Sequence, residues 1–384
     1  MFQRNTYIDK FKEILLTSEK QYIVLVGDYG VGKTHLLNTL KEDGTLSDSE
    51  TLFLDPFDTE LQEKLGVKEE SISTIILDSE HGVDIDYIRT FIESYQTDCR
   101  VIFTAEQKID DERVEDFLLP FVSFREYSET MGAPINMGEI MNGAADIHAV
   151  NTAKDEYIHL GHLPRHIGNP ETISSDFFEI CTDMKSEMYD KEYEQFIEFF
   201  RALAMETGNC FKADKLAKLL GITRRKVNKY MEILLKKNVI KPVGAWVQDM
   251  ETETSRHVKI YFSDLSIYRS LLSDMYYQGA MKMGAIENFI YLEIERKLHD
   301  SHDIYYYRKK SGSEVTFILE DKMTKKVTPI EVVSRDSSAI SQAMKSFDSE
   351  YHDRVERYMI MNESLTERKE LSGIPVFILP HAAI

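Results

Sequence analysis

Residues 22–40, YIVLVGDYGVGKTHLLNTL, constrain this chain more than any other stretch. The apolar run at residues 22–26 reads as a buried strand. It ends on Gly27, which opens a match to G-x-x-x-x-G-K-[ST] closed by Gly32, Lys33 and Thr34. The three glycines let the backbone of Gly27, Asp28, Tyr29, Gly30, Val31 and Gly32 curl so that successive N–H groups point inward. The helix that follows, opening with Lys33, Thr34 and His35, adds the positive end of its dipole. Such a loop cradles phosphate. Lys33 is placed to reach the outer phosphates and Thr34 to offer a hydroxyl to Mg²⁺. A glycine turn that only joined a strand to a helix would need no Lys-Thr pair, so the spacing predicts a bound nucleotide.

The chain is 384 residues long, enough for two to four domains, and its 42% apolar and 29% charged residues suit several packed cores. No apolar run reaches the ~18 residues of a membrane span, and the opening residues do not read as a signal peptide. A cytoplasmic protein without membrane contact is expected. Cys99, Cys181 and Cys210 lie far apart and fit neither a metal site nor a disulfide framework, so buried thiols are expected. The net charge of −20 opposes general adhesion to nucleic acid, but residues 211–243 hold ten Lys or Arg against only Asp214 and Glu232.

From residue 1 to about 120, short β runs alternate with helical stretches, the pattern of a parallel α/β sheet. Strands are expected at residues 22–26, 51–54, 73–78 and 100–104, with a fifth at 121–124. Ligands bind beyond the carboxyl ends of such strands. The phosphate loop obeys that rule, and so does Asp78, which ends TIILD where a second metal-organising carboxylate is required.

With these motifs in hand, the chain resembles the prokaryotic AAA-type P-loop ATPases that carry a C-terminal domain related to the PD-(D/E)XK nuclease fold. The likeness runs over nearly the whole chain through GDYGVGKTHLL, TIILDSEH, RVIFTAE, ERVEDFLLPFVSFREY, GHLPRHI, KIYFSDLSIY, GAIENFIYLEIERKL, SEVTFIL and PIEVVSR. It implies a P-loop ATPase core over residues 1–127, a helical lid over 128–190, a winged helix-turn-helix over 191–262, and a nuclease-like domain over 263–384. It also implies ATP and Mg²⁺ as ligands, with Thr34 and Asp78 on the metal. The family usually places a glutamate directly after the metal-site aspartate to polarise the attacking water. Here Ser79 stands there and Glu80 follows, so hydrolysis is expected to be slow. The resemblance assigns Thr104 to the γ-phosphate or the attacking water and Arg113 to a neighbouring subunit's nucleotide in a homo-oligomer. Arg165 would sense phosphate from the lid.

The basic stretch DKLAKLLGITRRKVNKYMEILLKKNVI reads as helix, turn, helix. Leu216, Leu219 and Leu220 face a core, Gly221 breaks the first helix and Thr223 caps the second. Val227, Tyr230, Ile233 and Leu234 face inward. Arg224, Arg225, Asn228 and Lys229 then project from the first turns, as a recognition helix entering the major groove of double-stranded DNA requires, while Lys236, Lys237 and Lys241 suit phosphate contact. Trp246 and HVKIYF suit a wing.

In an active member of the nuclease family, a helix glutamate, a strand aspartate and an E-x-K strand hold Mg²⁺ and position water. Here Glu287 lies on the helix and Glu314 and Thr316 share one strand face, with Thr316 at the aspartate position. Glu331 is kept, but Val333 replaces the lysine. A catalytically dead fold that binds a protein partner is expected. The aromatic run at residues 305–307 reads as strand core, residues 357–361 and 374–379 as further strands, and residues 363–370 as a solvated connection. Together these features predict a nucleotide-controlled switch acting on DNA or protein. The alternatives are a non-hydrolysing interaction protein with structural ATP, or an ATP-gated Mg²⁺-dependent nuclease.

Overall fold

The computed structural model describes residues 2, 4–56, 71–79, 82–95, 97–185, 188–247, 258–272, 280–298, 300–309 and 312–384. They form two compact units, Met1–Val122 with Leu163–Pro170, and Ser123–His162 with Glu171–Ile384.

In the first unit, β1 (Tyr22–Val26), β2 (Thr51–Leu54), β3 (Thr74–Leu77), β4 (Arg100–Ala105) and β5 (Val114–Leu118) make one sheet in the order β2-β3-β4-β1-β5. Every neighbouring pair is parallel. Strand residues alternate between two cores. Val24, Ile75 and Phe103 pack on the helix Ile85–Ser94, whereas Ile23, Ile76 and Ile102 pack with Phe11 and Leu36 of the helices Asn5–Thr17 and Lys33–Glu42. Burial on both faces explains why these strands read as continuous apolar runs. The expected fifth strand at residues 121–124 is not formed. Its place belongs to β5, paired with β1 from Tyr22↔Val114 to Val26↔Leu118, and Phe124 starts a helix. VEDFL lies on the sheet edge and carries Glu115 and Asp116, so it lacks the apolar signature of a central strand.

In the second unit, the helix Ala213–Leu220 ends at Gly221, whose φ of 64° is left-handed, and Thr223 caps the helix Arg224–Lys236 by accepting from Lys226 N. Val227, Tyr230, Ile233 and Leu234 are buried as expected. Leu219 is not. It is 65% exposed, and Ala217 takes the inward position. The antiparallel pair β6 (Ile240–Val243) and β7 (Lys259–Phe262) follows. Trp246 does not sit on a wing. Its backbone N–H donates to Tyr306 O, and its ring packs on Phe347 and Tyr351.

The long helix Ala280–Leu298 then leads into a six-stranded mixed sheet. It consists of β8 (His302–Arg308), β9 (Glu314–Asp321), β10 (Val327–Val332), β11 (Tyr358–Asn362), β12 (Glu367–Leu371) and β13 (Ile374–Pro380), in the order β12-β13-β11-β10-β9-β8. Tyr306 and Tyr307 are core, as read from the sequence. The expected solvated connection at residues 363–370 instead contains most of β12, an exposed edge strand whose charges disguise it and guard the edge against further pairing.

Candidate nucleotide-binding site

The phosphate loop leaves β1 at Gly27, whose N–H donates to Ala105 O of β4. A Cβ on Gly27 would lie 2.5 Å from Leu119 O and 2.8 Å from Val31 Cγ2, so no larger residue fits there. Gly30 and Gly32 have φ of 79° and 97°, a conformation side-chain-bearing residues rarely adopt. Gly32 is also the N-cap of the helix Lys33–Glu42. Asp28 and Thr34 are exposed, Tyr29 and His35 are half-buried, and Val31 is fully buried. Lys33 is 5% exposed, and its Nζ donates to Gly27 O at 2.7 Å and to Asp28 O at 3.0 Å. Burial lowers its pKa, against the pull of Glu106, Asp28 and Asp78. Burial likewise lowers that of His35. An ammonium held in this way, beside N–H groups and a helix N-terminus, is ready to exchange its backbone acceptors for anionic oxygens.

Asp78 follows β3 directly, and Thr104 lies in the adjacent β4. Thr104 Oγ1 donates to Asp78 Oδ1 at 2.8 Å and accepts from Ser79 N at 3.3 Å. Thr104 is fully buried, and its one hydroxyl proton is spent on the carboxylate. It therefore orients Asp78 directly. Glu80 lies outside the described residues. Arg113 precedes Val114, which pairs with Tyr22 at the start of β1, so it stands at the strand ends opposite the phosphate loop. Its guanidinium forks onto Asp111, with Nε–Oδ1 at 3.0 Å and Nη2–Oδ2 at 2.7 Å. Arg165 is drawn in more closely than the sequence suggested. Its guanidinium carbon lies 5.4 Å from the Tyr29 ring centroid, and Gly30 and Gly32 face Leu163 and Pro164 of the same segment.

The three carboxylates of the nuclease-like motif do not converge. A β-bulge in β9 shifts its register against β8 between Tyr305 and Tyr307, which puts Glu314 and Phe317 on the face toward the helix Ala280–Leu298. The ladder is regular at Glu314 and Val315, and the extra residue lies between Val315 and Ile318. Thr316 Oγ1 accepts from Val332 N at 3.1 Å. Glu331 pairs with Ile360 and lies on the opposite face, over the core of Met344 and Phe347. Glu314 and Glu287 meet the buried ammonium of Lys259, at 2.5 and 3.5 Å, and Tyr261 donates to Glu287 at 3.2 Å. Among the described residues, no group of three or more His, Cys, Asp or Glu is arranged to hold a metal ion.

Burial raises the Glu331 pKa, against a hydrogen bond from Ser341, and its Oε2 is buried without a hydrogen-bond partner among the described residues. A raised native pKa means that folding retains a proton the unfolded chain has lost. Stability therefore falls as pH rises through the native value. Glu331→Gln is expected to raise stability at pH 7 by about 1 kcal/mol, with the advantage over wild type vanishing at acid pH. Urea unfolding at the two pH values measures it, and an equal effect at both would refute this account.

On the helix Arg224–Lys236, Arg225 and Asn228 are exposed. Most of the other basic groups have acidic partners. Arg224 reaches Asp214 at 3.4 Å, Lys229 reaches Glu192 at 2.8 Å and Lys237 reaches Asp183 at 2.6 Å, while Lys241 pairs with Glu295. The excess of positive charge in the sequence is thus partly neutralised by neighbours far away in the chain.

Residues 180–276 match the family model of a domain of unknown function, DUF8612, and residues 283–380 match that of a second, DUF4143. No curated protein matches the chain by sequence. Among solved structures, the chain is similar to Cdc6p from Pyrobaculum aerophilum, with 11% identity over 75% of this chain and 95% of that one and a TM-score of 0.28. The P-loop fold itself rests on the parallel sheet, the left-handed loop glycines and the helix that opens on Lys33. No helix among the described residues is long and apolar enough to cross a membrane.

Two residues near the loop escaped the sequence reading. Glu106, just past β4, is the foremost charge acting on Lys33 and lines a cleft with Gly82, Asp84 and Arg89. Its position two residues after Thr104 was the available signal. Arg4 is buried at 6% exposure beneath the loop, and no motif announces it.

Proposed function

We propose that the chain is an ATP-binding P-loop protein that hydrolyses ATP slowly and uses the nucleotide as a switch. The observation that carries this reading is the gathering of Lys33, Asp78 and Thr104 around the phosphate loop at the carboxyl ends of β1, β3 and β4. Hard oxygen donors suit Mg²⁺. The Thr34 hydroxyl and the Asp78 carboxylate would hold it, and the ion would neutralise charge on the phosphates. Asp78 fits that role because Thr104 fixes its orientation. Slow turnover follows from Ser79 in the usual glutamate position and from a Thr104 proton already committed to Asp78. Arg113, forked onto Asp111 away from its own loop, suits action on a neighbouring subunit in a homo-oligomer.

The helix-turn-helix and its β6–β7 pair are read as a winged helix, and the C-terminal sheet as a binding fold for a protein partner. Separation of Glu331 from Glu287 and Glu314 opposes the nuclease alternative. The DNA reading now narrows to Arg225 and Asn228, because Arg224 and Lys229 are engaged with acids. Affinity for double-stranded DNA is expected to fall less steeply with salt than ten free cations would demand. Titration between low and moderate salt measures the slope, and Arg225→Glu is expected to abolish binding. Binding indifferent to both would remove the DNA contact from the proposal. ATP turnover with and without DNA, against Lys33→Ala, separates a switch from a protein that holds ATP as a static ligand: only a switch couples turnover to its partner.

A further inference from the structure

We propose that Arg4 is a positioning residue for the phosphate loop, holding the peptide between Val31 and Gly32 so that the Gly32 N–H faces phosphate. This rests on the nucleotide-binding reading of the loop. Arg4 lies outside every motif, yet its side chain is buried beneath the loop. Nη1 donates to Val31 O at 3.5 Å and also to Pro120 O, and Nη2 donates to Phe121 O at 3.4 Å. The Arg4 carbonyl accepts from Tyr7 and Ile8 N–H at the start of the helix Asn5–Thr17, and its guanidinium lies 4.4 Å from the Tyr7 ring centroid. The side chain is therefore gripped at its root and clamps two segments at its tip.

Peptide planarity converts that clamp into a function. There are no cis peptide bonds among the described residues, so the C=O of Val31 and the N–H of Gly32 point in opposite directions within one rigid plane. Fixing the carbonyl toward Arg4 fixes the N–H away from it, on the side where the loop would meet phosphate. The peptide ends on Gly32, at positive φ, where no Cβ restrains the backbone torsion beside it. A planar fork with several donors can hold three carbonyls at once, which a point charge does less well. The second segment clamped, Pro120 and Phe121, continues from Leu119, whose N–H donates to Val26 O at 2.7 Å and whose carbonyl bars any side chain at Gly27. Arg4 thus ties the middle of the loop to the strand end that supports its beginning.

The test combines hydrogen exchange with nucleotide titration on the full chain. In Arg4→Ala, peptides covering residues 27–36 are expected to exchange at least tenfold faster, while those covering β3 and β4 keep wild-type rates. ATP binds about tenfold more weakly, and added methylguanidinium restores most of the loss. Arg4→Lys, the variant to use if Arg4→Ala does not fold, should lie between the two in both measurements. Loop exchange that stays at the wild-type rate, or that rises equally in β3 and β4, overturns the proposal. If the wild-type chain does not bind ATP, the nucleotide reading fails, whereas the exchange data still decide whether Arg4 holds the loop.

Discussion

Lys33→Ala is expected to weaken ATP binding at least a hundredfold and to abolish turnover, while leaving the fold as stable as wild type or more so. The two effects have one cause. The Lys33 ammonium is almost completely buried, and desolvation already lowers its pKa, so the charge is a cost to the folded protein. In return it has the carbonyls of Gly27 and Asp28 as acceptors, and these are poor substitutes for phosphate oxygens. A charge-assisted contact is worth about 1.5–3 kcal/mol, and engaging two phosphates makes a hundredfold loss the natural scale, since 1.4 kcal/mol is tenfold. Removing the ammonium relieves its burial and leaves two carbonyls beside a backbone already shaped by glycine. Calorimetric titration with ATP and a urea melt of the same variant measure the pair. Unchanged affinity would show that Lys33 is structural, and a large loss of stability would show that its charge holds the loop together.

Glu293→Ala is expected to cost about 3–5 kcal/mol of stability, a large share of the roughly 5–15 kcal/mol a domain has to lose. Glu293 is 1% exposed in the second unit. Its Oε1 accepts from Arg296 at 2.8 Å, from Phe124 N at 3.2 Å and from Tyr157 OH at 3.3 Å, and Arg296 donates in turn to Tyr157 OH at 2.9 Å. One carboxylate thereby takes the first N–H of the helix Phe124–Thr130, which Ser123 caps, and pairs with a largely buried guanidinium on its own helix. Burial raises the Tyr157 pKa, so the phenol stays neutral and serves as donor and acceptor. Truncation leaves a largely buried cation without its nearest carboxylate and the Phe124 N–H without its acceptor. Replacing Glu293 and Arg296 together by methionine should recover most of the loss, because an uncompensated charge costs more than an absent pair. Urea midpoints of the single and double variants decide it. A single-variant loss below about 1 kcal/mol would show that solvent reaches the site.

Much of the first unit was legible in the sequence. A doubly buried parallel strand must be apolar on both faces, and a phosphate loop must place its glycines, lysine and threonine at fixed spacings within one short stretch. Both requirements are local, and β1 through β4 and residues 27–34 show them directly. β5 and β12 escaped because edge strands need only half a buried face, so Glu115, Asp116 and the charges of residues 367–370 mask them. The C-terminal carboxylates misled for a different reason. Strand alternation says which residues of one strand share a face, but not that Glu331 of β10 lies over the core of Met344 and Phe347, on the face opposite Glu314.

The sequence by itself determined that the chain carries a phosphate loop, that a carboxylate stands at the end of β3, and that a basic helix-turn-helix follows, because each is written in contiguous residues. Only the tertiary structure decided which groups meet: Thr104 with Asp78, Arg4 with Val31, Lys259 with Glu287 and Glu314, and acids of distant helices with the basic helix. Those pairings depend on burial and on side-chain direction across the fold. Both are set by packing between residues that are tens to hundreds of positions apart.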